Sequence, residues 1–249
     1  MWRSATDARQ AGVNPAPETP GFDPLRDAIL RGMAHALSNR VAALGGINGL
    51  ADPGQIWTER LAKALGDEAR RLEDILRLMR LLPDDGRGDA GAIELQPLVP
   101  DVIALHAYQS ALLQVECTAV FDRETMPVFA NRPRLVHSLL LAIDAAKRHA
   151  QRNGGRVVVS YGGAADVVVI RVATEPSPSP AKPMSSAAAA AAAAAPPVTE
   201  EALRAGVASV GGPSDIALAT EGDQVRIELS VPTLAAGRRA ELAAKPAST

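Results

Sequence analysis

Gly32-Met33-Ala34-His35-Ala36-Leu37-Ser38-Asn39-Arg40-Val41-Ala42-Ala43-Leu44 is the stretch from which the rest of the chain can be placed. Apolar residues recur at Ile29, Met33, Leu37, Val41 and Leu44, the spacing of one helical face. Arg31, His35, Ser38 and Asn39 fall on a different stripe, because residues three and four apart share a face. His35 is therefore expected at the edge of the apolar stripe, looking into solvent. Ala42, Gly46 and Gly49 continue below it, and small residues there let another protein come close to the imidazole.

Working outward, Asp23-Pro24 makes a helix start, since Asp can cap and Pro suits the first helical position. The first helix is expected from Pro24 to Leu50. Gly32, Gly45, Gly46 and Gly49 each cost about 1 kcal/mol relative to Ala in a helix interior, so packing must hold it. Asp52-Pro53-Gly54 reads as a turn. A second helix, 55–82, carries Ile56, Leu61, Leu65, Ala69, Leu72, Leu76 and Met79 among charged residues. Pro83 and the polar stretch after it end that helix. One such hairpin cannot cover both of its apolar faces. The usual solution is a four-helix bundle, here built from two chains as a homodimer.

From Ile93 the pattern changes. Glu94–Leu98 reads as a short strand leading into a helix over 100–113, and Gln114–Phe121 as a second strand. A helix over 133–150 carries Leu135, Leu139, Leu140 and Ile143. Strands at 156–161 and 166–172, joined through Gly162-Gly163, form a Gly-rich hairpin. Residues 176–197 are low complexity, with Ser-Pro repeats and an alanine run, and read as a flexible insert. A helix over 200–210 and a hairpin of 216–220 with 224–231 complete the pattern. The fold class is thus α+β. Residues 1–20 are expected to be disordered, 21–85 to form the helical hairpin, 92–235 an α/β sandwich, and 236–249 a disordered tail.

Composition narrows the partners. Of 249 residues, 47% are hydrophobic, as a globular core requires. The formal net charge of −2 argues against nucleic acid or an anionic membrane as the main partner. Cys117 is the only cysteine, which excludes an intrachain disulfide and fits a reducing, cytoplasmic setting. No apolar run reaches the roughly 18 residues of a membrane helix, and the first 19 residues lack the apolar core of a signal peptide.

The box around His35 resembles the phospho-accepting box of sensor histidine kinases, roughly H-[E/D]-x-x-N-x-[L/V]-x-x-[I/L]. His35, Asn39, Val41 and Leu44 match, and Ala36 stands where the family places an acid. The later elements resemble the family's catalytic, ATP-binding domain. Arg134-Leu135 with Leu139-Leu140-Leu141 sits at the R-L-x-x-x-L-x-N-L-x-x-N-A box, and Arg171-Val172-Ala173 at the strand before the nucleotide glycines. Ala202-Leu203 through Gly211-Gly212, then Val225 to Pro232, sit at the last helix, its turn and the closing strand. The resemblance spans about residues 24–233 and implies a dimeric bundle, signalling chemistry and response regulator receiver domains as partners.

It also implies which nucleotide-binding groups are replaced. The Asn that holds Mg²⁺ falls on Ala145, with Asp144 next door, and Mg²⁺ demands hard oxygen ligands. The D-x-G-x-G position holds Thr174-Glu175-Pro176-Ser177-Pro178, and proline has no N–H to offer a phosphate. The expectation is a degenerate ATPase domain with no cofactor of its own. Ala36 likewise removes the acid that the resemblance makes the base in attack on ATP. Exchange with a receiver aspartate asks less, since neutral imidazole is nucleophilic at nitrogen and the receiver brings Mg²⁺. His35 is then the phosphoryl carrier. Asn39 orients a phosphoryl oxygen or a water, and Arg31 or Arg40 offsets the charge. His106, His137 and His149 do not converge with Cys117 at metal-ligand spacing; no metal site is expected, and they read as surface or boundary residues. The expected function is histidine phosphotransfer in a two-component phosphorelay. Two alternatives stand beside it: a non-catalytic pseudokinase adaptor that binds receivers or kinases, and an ATP-dependent histidine kinase with a divergent nucleotide site.

Overall fold

The structure, a computed structural model, describes residues 22–49, 59–82, 88–121, 126–177, 199–212 and 215–244. Residues 1–20, the turn at Asp52-Pro53-Gly54 and nearly all of the 176–197 segment lie outside them.

Helix α1 spans Phe22–Gly49 and α2 spans Glu59–Met79. The first half of α1 buries Phe22, Leu25, Ile29 and Met33, and the end of the second helix and its exit bury Ile75, Leu78, Leu81 and Leu82. These residues belong to the same core as the α/β layer. The hairpin base is therefore packed onto that layer through a shared interior. Gly32 shows how close the contact is. A Cβ there would lie 1.9 Å from the Tyr108 carbonyl oxygen, so only glycine lets α1 pass. The sequence put Val41 on the buried stripe, but it is 63% exposed, because the α/β layer covers only the first turns of the helix.

Strand β1, Gly91–Ile93, precedes α3, Leu95–His106. The strand expected at Glu94–Leu98 is instead the first turn of α3. Pro97 fits there because first-turn N–H groups need no intrahelical acceptor. The expected helix to Leu113 ends at His106 and is followed by a separate 3₁₀ turn at Ser110–Leu112. Then come β2 (Cys117–Phe121), β3 (Val128–Ala130), α4 (Arg132–Asn153), β4 (Arg156–Ala164) and β5 (Val167–Glu175). Beyond them lie α5 (Glu200–Ser209), β6 (Ile216–Glu221), β7 (Gln224–Pro232) and α6 (Leu234–Ala244).

The main sheet has the order β2-β4-β5-β7-β6, parallel only between β2 and β4. A small antiparallel pair joins β1 to β3. Gly162 and Gly163, expected as the hairpin connection, pair within the ladder; the turn is Ala165-Asp166. Val157, Val159, Tyr161, Ile170, Val172, Ile227 and Leu229 are all buried at 3% exposure or less. They alternate with neighbours that are less deeply buried, Val158 at 8% among them, and mark the face that α4 covers.

The tail expected to be disordered from residue 236 is helical through Ala244. Thr233 caps it, its Oγ1 accepting from Ala236 N at 3.3 Å. Gly237 lets it lie against the Phe129 ring, and Arg239 pairs with Asp166 at 2.5 Å. No described helix is long and apolar enough to cross a membrane.

Candidate functional site

His35 is exposed on α1, three residues past the Gly32–Tyr108 contact. Asn39, one turn on, is also exposed, and its Nδ2 lies 3.3 Å from His35 Nε2. When the amide donates to that nitrogen, the ring proton sits on Nδ1 and the Nε2 lone pair accepts the amide N–H. The expected juxtaposition of His35 and Asn39 is thus present.

Arg40 is not part of it. Its guanidinium turns to the other side of α1 and meets both Glu68 oxygens on α2 at 3.3 and 3.4 Å. Glu68 is 8% exposed and also pairs with Arg71. Five residues separate Arg40 from His35, which places the two side chains well apart around the helix. Arg40 ties the two helices together. Sequence spacing gave no hint of Glu68, because the pairing crosses the hairpin.

The α/β layer shows what occupies the positions implied for a nucleotide. Ala145 is buried at 7% exposure on α4 and has no polar side-chain atom. Asp144 points toward α3 and α4 instead: His106 Nε2 lies 3.3 Å from its Oδ1, and Arg148 Nε donates to its Oδ2 at 2.6 Å. Those partners hold the Asp144 carboxyl below the usual range in spite of its burial, with His106 the larger influence. Glu175 ends β5 in an ion pair with Arg156 at 2.9 Å. Thr174 Oγ1 accepts from Val225 N at 2.8 Å, holding that strand end against β7. Pro176 follows directly. At the positions that the resemblance assigns to Mg²⁺ and the nucleotide, the carboxamide is thus absent, the neighbouring carboxylate is engaged, and the strand leads into proline.

Two histidines read from sequence as surface or boundary residues are sealed instead. His106 is 0% and His137 3% exposed. The His137 ring stacks on Phe22 at a centroid distance of 3.9 Å, and its buried Nε2 has no hydrogen-bond partner. Burial, aided by Arg26, pushes its pKa down to about 4. Burial also lowers that of His106, against the pull of Asp144. Cys117 is driven up to about 11, again by burial. No group of three His, Cys, Asp or Glu among the described residues has metal-site geometry.

No family model matches the chain, and no curated protein does. Several solved structures are similar at low identity. A histidine kinase of Acinetobacter baumannii, AdeS, is 18% identical, with a TM-score of 0.40 over 80% of this chain and 98% of that one. A histidine kinase of Burkholderia phymatum is 15% identical, with a TM-score of 0.42 over 85% and 97%. A bacterial phosphotransferase is 14% identical, with a TM-score of 0.37 over 82% and 95%. At such scores, function rests on this chain's own residues.

Proposed function

We propose that the protein is a histidine phosphotransfer protein of a two-component relay, in which His35 accepts a phosphoryl group from one receiver aspartate and passes it to another. The observation that carries this reading is an exposed imidazole, held by Asn39, on a helix fixed to an α/β layer whose nucleotide positions are filled by Ala145, an engaged Asp144 and Pro176. Asn39 releases Nε2 as the receiver docks, and the freed lone pair attacks the aspartyl phosphate; the N–P bond forms as the P–O bond to the receiver carboxyl breaks. The carboxylate leaves with the electron pair, and the ring keeps its Nδ1 proton until water takes it. Positioning is the main requirement for such a transfer, and the anchored base of α1 supplies it. The receiver contributes Mg²⁺. No ATP is bound.

A homodimer belongs to the same proposal. Leu65, Leu76 and Met79 on α2 are 38%, 51% and 37% exposed and follow helical spacing, with Val41 exposed on α1. A second copy of the hairpin would cover this flank as a four-helix bundle. Light scattering tests it: a dimer mass is expected, and a monomer at micromolar concentration contradicts it.

The test of function is incubation with a phosphorylated receiver. Label on the wild type that His35→Ala removes supports phosphotransfer; complex formation without label supports the adaptor reading instead.

A further inference from the structure

Resting on the phosphotransfer reading above, we infer that Arg31 is the cation that meets the phosphoryl group at His35. Helix α1 carries three arginines. Arg40 bridges to Glu68. Arg26 is half-buried beside His137. On α2, Arg70, Arg71 and Arg77 each meet a carboxylate. Arg31 differs: it is exposed and forms no ion pair or hydrogen bond among the described residues, Asp27 one turn earlier included.

Its place on the helix gives that freedom a use. Arg31 and His35 are one turn apart on the same stripe, where Cβ atoms lie about 6 Å apart. Asn39 follows one turn on the other side. The imidazole is therefore flanked by a guanidinium before it and an amide after it, and the stripe Arg31–His35–Asn39–Ala42 has no carboxylate. Transfer brings a dianionic phosphoryl group onto this surface. The planar fork of an arginine matches its oxygens, and charge-assisted hydrogen bonds of that kind are the stronger class. Arg40, the other arginine the sequence offered, is held away by Glu68.

The test uses the full chain with a phosphorylated receiver, comparing wild type, Arg31→Ala, Arg31→Lys and, as a distant control, Arg238→Ala. The rate of label transfer is measured at limiting and saturating receiver. Arg31→Ala is expected to lower the saturating rate roughly tenfold, the loss of one exposed charge-assisted contact. Arg31→Lys is expected to recover part of it, and Arg238→Ala to match wild type, all with unchanged melting temperature. A saturating rate that Arg31→Ala leaves intact overturns the inference, whether or not KM rises, since a rise in KM alone assigns Arg31 to receiver docking. Absence of label on the wild type removes the phosphotransfer reading together with it, so the two failures are told apart.

Discussion

Two surroundings for histidine sit within one molecule. On the second half of α1, His35 meets water, Asn39 and small neighbours. At the foot of the same helix, Phe22 presses on His137, whose buried Nε2 bonds to nothing, and on α3 His106 is closed over Asp144. Both environments are helical, but the cost of placing charge in the core holds the buried pair, His106 and His137, in the neutral form. The lesson is that packing decides which imidazole is available for chemistry. Full burial on α1 ends at Met33, two residues short of His35.

The largest effect that would break this contrast is at the exposed ring. His35→Gln is expected to abolish phosphoryl label, because no ring nitrogen remains to carry it, while leaving the urea midpoint unchanged. A loss of stability would place the ring in the packing instead.

Gly32→Val tests the anchoring. Its Cβ would meet the Tyr108 carbonyl at 1.9 Å, and overpacking of this kind costs about 1–3 kcal/mol. The urea midpoint should fall, with faster hydrogen exchange along the first half of α1. A wild-type midpoint would contradict the close packing of hairpin and α/β layer.

At the buried ring the probe is acid. The His137 pKa is depressed from its ordinary value to about 4, so the unfolded chain takes up the proton first. The stabilisation is complete above about pH 6.5 and is lost as pH falls through about 4, on the order of 3 kcal/mol in all. His137→Phe keeps an aromatic stack on Phe22 and should flatten the slope of stability against pH in that window; His106 keeps part of it. An unchanged slope would place His137 in contact with water.

The smallest effect is expected at Asp144→Asn. It weakens the contacts to His106 and Arg148, a loss of about 1–2 kcal/mol, read in the urea midpoint, and leaves transfer to His35 at the wild-type rate. A variant as active but more stable than wild type would show that the carboxylate is strained where it lies.

How much of this was legible in the sequence follows from which forces are periodic. The helical repeat through Ile29 and Met33 placed His35 on the exposed side and Asn39 one turn on. Apolar runs bounded by turn residues placed the strands at 156–161 and 224–231. Contacts between elements left no such trace. Nothing local marks Arg40 as the partner of Glu68, twenty-eight residues away, or His137 as the floor under Phe22. The helix at Leu234–Ala244 had a readable signal, Thr233 as cap before an alanine-rich run, which the reading of 236–249 as a tail passes over. Gly237 serves the approach to Phe129, a fact only packing reveals. Strand β3 is three residues long, too short for alternation to register.

The central claim is that phosphate reaches His35 from a receiver and not from nucleotide. One labelling experiment with two donors tests it: the chain is incubated either with radiolabelled ATP and Mg²⁺ or with a receiver carrying labelled aspartyl phosphate. Acid-labile label at His35 from the receiver and none from ATP is the predicted result. Label from ATP alone, or none from either donor, would contradict it.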